Sequence, residues 1–90
     1  MTKEQQKQTS ETIEQKKDQH QLILINDDVH TFDYVIDALI EICDHTFEQA
    51  HQCAMITHTK GQCDIKRGNF DLLRSMRRAL IDRELKAKIN

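Results

Sequence analysis

Leu22-Ile23-Leu24-Ile25-Asn26-Asp27-Asp28 decides how this chain folds. An unbroken apolar run followed at once by polar turn formers reads as a short buried strand, Gln21–Ile25, that stops at the Asn-Asp-Asp triplet. The triplet has no basic neighbour in sequence. No Lys or Arg occurs between Lys17 and Lys60, whereas Asp18, Asp27, Asp28, Asp33, Asp37, Glu41, Asp44 and Glu48 all fall in that interval. Two carboxylates and a carboxamide at a strand end suit a small cation held by oxygen acceptors, an amine or a metal ion. Asn and Asp are also ordinary turn residues, and the triplet alone leaves both readings open.

Downstream of the triplet, the spacing changes from strand to helix. Thr31 is placed to cap a helix reaching about Asp44. Phe32, Val35, Ile36, Leu39, Ile40 and Cys43 recur at the spacing of one buried helical face. Thr46-Phe47-Glu48-Gln49 forms a capping box that opens a second helix, and Gly61 is a suitable stop. Ala50, Cys53, Ala54, Thr57 and His58 share its inner stripe. On spacing alone, Phe32 and Met55 belong to the core and His58 is a half-buried core histidine.

Gln62 to Lys66 alternates as a strand and Lys66-Arg67-Gly68 reads as a turn. Asn69 caps a third helix to about Asp82, with Leu72, Leu73, Met76, Ala79 and Leu80 inward. Leu85, Ala87 and Ile89 alternate with Lys86 and Lys88 in a last strand whose lysines suit a sheet edge. The order is β-α-α-β-α-β, which predicts a two-layer α+β domain with a small three-stranded sheet packed against three helices.

Composition bounds the rest. Ninety residues make one domain at most. Residues 1–19 carry almost no apolar side chains and read as a flexible polar tail, leaving 20–90 as the folded core. The net charge of −2 gives no reason to expect nucleic acid. Residues 60–90 are locally basic, nine bases against four acids, a pattern that ordinary solvated faces explain. No run approaches the roughly 18 apolar residues of a membrane span, and the polar N-terminus is unlike a secretory signal. Cys43, Cys53 and Cys63 are odd in number and lack CxxC spacing, as expected of reduced cytoplasmic thiols.

Leu24-Ile25-Asn26-Asp27-Asp28, Phe32-Asp33-Tyr34-Val35-Ile36-Asp37, Glu48-Gln49-Ala50 and His58-Thr59-Lys60-Gly61 together resemble the core signature of the ClpS-type adaptors. The resemblance covers about residues 20–90, with a third helix shorter than in familiar members. It implies a monomeric, non-enzymatic bacterial adaptor without cofactor or metal. Such a protein binds the N-terminal residue of an N-degron substrate, usually a bulky apolar one, and delivers it to a Clp ATPase–protease. By matching position, Asn26, Asp27 and His58 are implied to contact the substrate's α-amino group. Asp28, His30, Phe32, Val35, Ala54, Thr57 and Leu85 are implied to line or border the side-chain pocket. Asp71, at the start of the third helix, matches an acidic position that docks on the ATPase N-domain, and the tail before residue 20 is the part engaged during delivery.

An α-ammonium offers three N–H donors, and charge-assisted bonds to Asn26 and Asp27 are about twice as strong as neutral ones. His58 accepts only through an unprotonated ring nitrogen, so acid should weaken the site. An internal residue, with an amide in place of the ammonium, leaves acceptors unpaired at a cost of roughly 1–3 kcal/mol per group. A neighbouring apolar cavity adds roughly 1.5–3 kcal/mol for a Leu- or Phe-sized side chain.

The chain also departs from the family pattern. Ala54 stands where familiar members carry a Met that excludes β-branched residues. Thr57 replaces a Val, which predicts a more polar wall, and His30-Thr31 replaces Thr-Pro.

Two other classes of function compete. A zinc domain would use Cys43, His45, His51, Cys53, His58 and Cys63, none in the tight paired spacing of a structural site. A small hydrolase would use the carboxylates with His58, but no nucleophile elbow or Gly-rich phosphate loop is present.

Overall fold

A computed structural model describes residues 19–90 of the chain. The expected tail, apart from its last residue, lies outside the described residues. The elements run β1 (His20–Ile25), α1 (Phe32–Cys43), α2 (Phe47–Lys60), β2 (Gln62–Gly68), α3 (Phe70–Asp82) and β3 (Lys86–Ile89). This is the β-α-α-β-α-β order read from the sequence. One antiparallel sheet, ordered β2-β1-β3, carries the helices.

Each helix starts where a capping side chain satisfies an otherwise orphaned N–H. Thr31 accepts from Tyr34, Thr46 from Gln49 and Asn69 from Leu72. The Thr46 capping box is complete, because the Gln49 side chain accepts from the Thr46 backbone in return. Such caps each contribute about 1 kcal/mol. Helix α1 ends at Asp44 and α2 at Gly61, both in the left-handed conformation. At Gly61, with φ +92°, a Cβ would meet no atom within 4 Å, so the demand for glycine is conformational and not steric.

The core lies between the sheet and the helices. Leu22 and Leu24 of the central strand meet Ile36 and Leu39 of α1, Ala50 of α2 and Leu73 and Leu80 of α3, all buried.

The structure corrects four sequence readings. First, Lys66-Arg67-Gly68 is not a turn. Strand β2 continues to Gly68, which pairs with His20, because β1 begins early enough to offer a partner for the extra residues. The pairing slips between Leu22 and Ile23, so Ile65 is the additional residue of a bulge. Its carbonyl accepts from His45 Nε2 at 2.6 Å, which ties the α1–α2 corner to the sheet. Second, Phe32 and Met55 are not core residues, being 41% and 43% exposed. Third, Leu72 is also exposed, and Leu73 carries the inner face. Fourth, His58 is exposed rather than half-buried. In each helix the buried arc is narrower than the apolar stripe, because a three-stranded sheet covers only part of a helical surface.

Strand β3 is an edge, as its lysines suggested. On its outer side, Arg77 Nε of α3 donates to the Ala87 carbonyl at 3.0 Å. No helix among the described residues is long and apolar enough to cross a membrane.

Candidate functional site

The turn between β1 and α1 is built around one carboxylate. Asp27 Oδ1 accepts from the backbone N–H groups of Val29 and His30, each at 2.9 Å. The His30 ring adds a third donor, with Nδ1 3.0 Å from both Asp27 oxygens. Burial pushes the Asp27 carboxyl up, but the hydrogen bonds from His30 and Val29 outweigh it and hold the group below its ordinary value. Asp28 next to it is exposed, and neither of its carboxylate oxygens has a partner among the described residues. The two acids therefore differ in state: Asp27 shapes the turn and Asp28 is available.

The turn is tied to the far end of α2 through Gly61. The Gly61 N–H donates to Thr57 O, and the Gly61 carbonyl accepts the Asn26 N–H, both at 2.9 Å. A left-handed residue at the helix end turns that carbonyl toward the strand. The spacing His58-x-x-Gly61 thus has a mechanical meaning. The glycine that ends α2 also fixes where Asn26 stands relative to His58 on the preceding turn of helix.

Between the turn, the start of α1, the middle of α2 and the approach to β3 lies a cavity of about 270 Å³. Asn26, Asp27, Asp28, His30, Phe32, Val35, Ala54, Thr57, His58 and Leu85 all border it. These ten are the residues that the family resemblance implied for an amine site and a side-chain pocket. Asp71 is not among them, and it stands exposed in the first turn of α3. Leu24, Ile25 and Thr31 also border the cavity. The sequence marked them as strand core and helix cap, and only the fold reveals that the same residues form a wall.

The lining is mixed, with apolar side chains beside the polar ones of the turn and His58. Leu24, Val35, Ala54 and Leu85 form the wall, and Phe32 meets His58 edge-on with ring centroids 5.2 Å apart. The Thr57 hydroxyl is turned back on its own helix, which limits the polarity it lends the wall. It donates to the Cys53 carbonyl one helical turn back, at 2.7 Å, so it has no hydrogen left to offer inward.

The cysteines and the remaining histidines do not form a metal centre. Among the described residues, no three His, Cys, Asp or Glu side chains come together in a way that could hold a metal ion. Burial pushes the Cys43 thiol up to about 11 and the Cys63 thiol up to about 12, so both are protonated near neutrality in the metal-free protein.

No curated protein matches the sequence. Among solved structures, Agrobacterium tumefaciens ClpS2 bound to L-phenylalaninamide matches with a TM-score of 0.75 over 81% of this chain and 95% of that one. At 16% identity the likeness is one of fold. A family model, ATP-dependent Clp protease adaptor protein ClpS, matches residues 15–88. That span takes in every element described above except the last residue of β3, and the chain belongs to the ClpS family of Clp protease adaptors.

Proposed function

We propose that this protein binds the free N-terminal residue of an N-degron substrate and delivers it to a Clp-type ATPase without doing chemistry of its own. One observation carries the reading. A carboxylate without a partner among the described residues, a carboxamide and an exposed histidine border the same cavity as buried Leu24, Ala54 and Leu85. An N-terminal residue has the matching shape, a cation beside an apolar side chain.

The resemblance implied Asp27 on the ammonium and Asp28 at the pocket; with Asp27 engaged by Val29 and His30, this reading instead seats the α-ammonium among Asn26, Asp28 and His58. Asp27 adds its negative charge from within the turn and orders Asp28 beside it. The first side chain enters between Phe32, Val35, Ala54 and Leu85, with the methyl face of Thr57 completing the wall. Asp71 is exposed and outside the cavity, so a contact there with the ATPase N-domain leaves the substrate site open. The protein acts as a monomer in the cytoplasm, with no nucleic acid, membrane or cofactor in its cycle. The bound ClpS2 ligand, an amino acid amide with a free amine, is consistent with the same chemistry at this cavity.

The test is a fluorescence-anisotropy panel of peptides that differ only in the first residue, each free and N-acetylated. Free peptides beginning with a bulky apolar residue should bind with Kd at or below about 1 μM, near −8 kcal/mol. Acetylation should abolish binding. Equal affinity for free and acetylated peptides would remove the amine site from the account.

A further inference from the structure

His30 is held from several sides. Its side chain is 13% exposed against an Asp27 side chain that is 10% exposed. Its backbone N–H and its Nδ1 both bond Asp27. Its ring stacks on Tyr34, with centroids 4.6 Å apart and planes 21° from parallel. Tyr34 is fixed in turn, because its hydroxyl donates to the Arg83 carbonyl at 2.7 Å and the Arg83 guanidinium pairs with Glu41. The ring cannot swing out without breaking the stack and the carboxylate contact together.

An ionised Asp27 is only an acceptor, so Nδ1 carries the hydrogen in neutral His30. A further proton then adds at Nε2. Among the described residues, the charged and titratable groups facing this ring are Asp27 and Asp28 from the turn, Tyr34 from α1 and His58 from α2 across the same cavity. The Arg83 guanidinium is engaged by Glu41, and Arg83 reaches the ring only through its carbonyl and Tyr34.

We propose that His30 is a positioning residue that makes amine binding proton-linked: neutral His30 holds Asp27 in its turn, and protonated His30 sets a cation beside the acids that the ammonium needs. The two cations compete for one patch of negative charge. Linkage then requires the converse, so a bound amine lowers the proton affinity of His30 by the same factor. This inference rests on the amine-binding reading and names a residue that the reading does not use for contact.

The experiment is a heteronuclear NMR titration of the five histidine rings in the full chain. It is run free, with a saturating peptide that begins with Leu, and with the acetylated form of that peptide. The His30 midpoint should fall by at least about half a unit with the free peptide, roughly a threefold loss of proton affinity, and stay in place with the acetylated one. A second arm uses His30→Asn, whose side-chain N–H reaches Asp27 as Nδ1 does but cannot titrate. Whatever the affinity of that variant near neutral pH, it should fall less steeply than the parent's between about pH 7 and about pH 5. His30→Ala should bind weakly throughout. If the free peptide binds and the His30 midpoint does not move, or His30→Asn keeps the parent's pH profile, the linkage is overturned and the amine site stands. If the free peptide does not bind at any pH, both fall.

Discussion

On one side of the cavity, the turn from Asn26 to Thr31 holds its shape through bonds between residues two or three apart, Asp27 to Val29 and Asp27 to His30. On the other side, Ala54, Thr57 and His58 arrive on α2, whose position depends on packing against α1 and β2 and on the bond from Asn26 to Gly61. The first side is local chemistry and the second is tertiary structure. The difference teaches that the turn tolerates drift in the rest of the chain, provided the triplet is kept. What α2 supplies, His58 included, shifts with the packing of that helix. The departures from the family pattern at Ala54 and Thr57 fall on that second side.

Substitutions on the two sides should therefore give different signatures. The largest effect is expected at the amine contacts. Asp28→Asn and His58→Ala should each weaken binding of a free Leu-first peptide by roughly 1–3 kcal/mol, the loss of one acceptor on a charged donor. Thermal melts should stay close to the parent, because neither side chain has a hydrogen bond within the described residues. Normal binding by both variants would mean that the rim does not hold the amine.

Asp27→Asn should behave differently, lowering stability as well as affinity. The depressed Asp27 carboxyl contributes stability that is present above its ordinary value of 3.8 and is lost as pH falls through the lower folded value. The gap in stability between parent and variant, about 1 kcal/mol near neutrality, should close in strong acid. Urea unfolding across that range measures it, and a gap that does not change with pH would deny Asp27 its role in the turn.

A smaller effect belongs to the far wall. Ala54→Met places bulk into open space, where a small-to-large change is tolerated better than in a packed core. It should leave Leu and Phe peptides bound about as before and shift the Leu-to-Ile preference by roughly fivefold, near 1 kcal/mol. An unchanged ratio would show that the side chain at residue 54 does not contact the ligand. The smallest effect is expected for Thr57→Val. The hydroxyl already faces Cys53, so ligand preference should move by less than about 0.5 kcal/mol. A large gain for apolar first residues would mean that the hydroxyl turns inward when ligand is bound.

The same division explains what was legible in the sequence. The triplet, the Thr31 and Thr46 caps and the Gly61 stop were readable because each is fixed by neighbours a few residues away. The burial of Phe32, Met55 and Leu72 was misread because spacing reports which residues share a face, not how wide an arc the sheet covers. The length of β2 was misread because Gly68 is held in the strand by His20, 48 residues earlier in the chain. The state of Thr57 was hidden for another reason. A threonine in mid-helix looks polar in one-letter code, and only the geometry shows its hydroxyl returned to the backbone. His30 and Tyr34 stand four apart on the page, but the stack between them depends on the carboxylate that holds the ring.

Arg77 bears on the protein's behaviour at high concentration. Gln21 and Asn90 exchange both backbone bonds, so the next pairs along, Leu22 with Ile89 and Leu24 with Ala87, are the unbonded kind. The peptide groups of Ala87 and Ile89 therefore point away from the sheet, the arrangement through which two strands from separate molecules zip together. Arg77 occupies one of those carbonyls, and Lys86 and Lys88 bring like charge to any second copy approaching along the same edge. Solubility thus rests in part on a helix side chain far from the acidic turn. Its loss should first appear as turbidity in a concentrated sample, with ligand affinity per folded molecule unaltered.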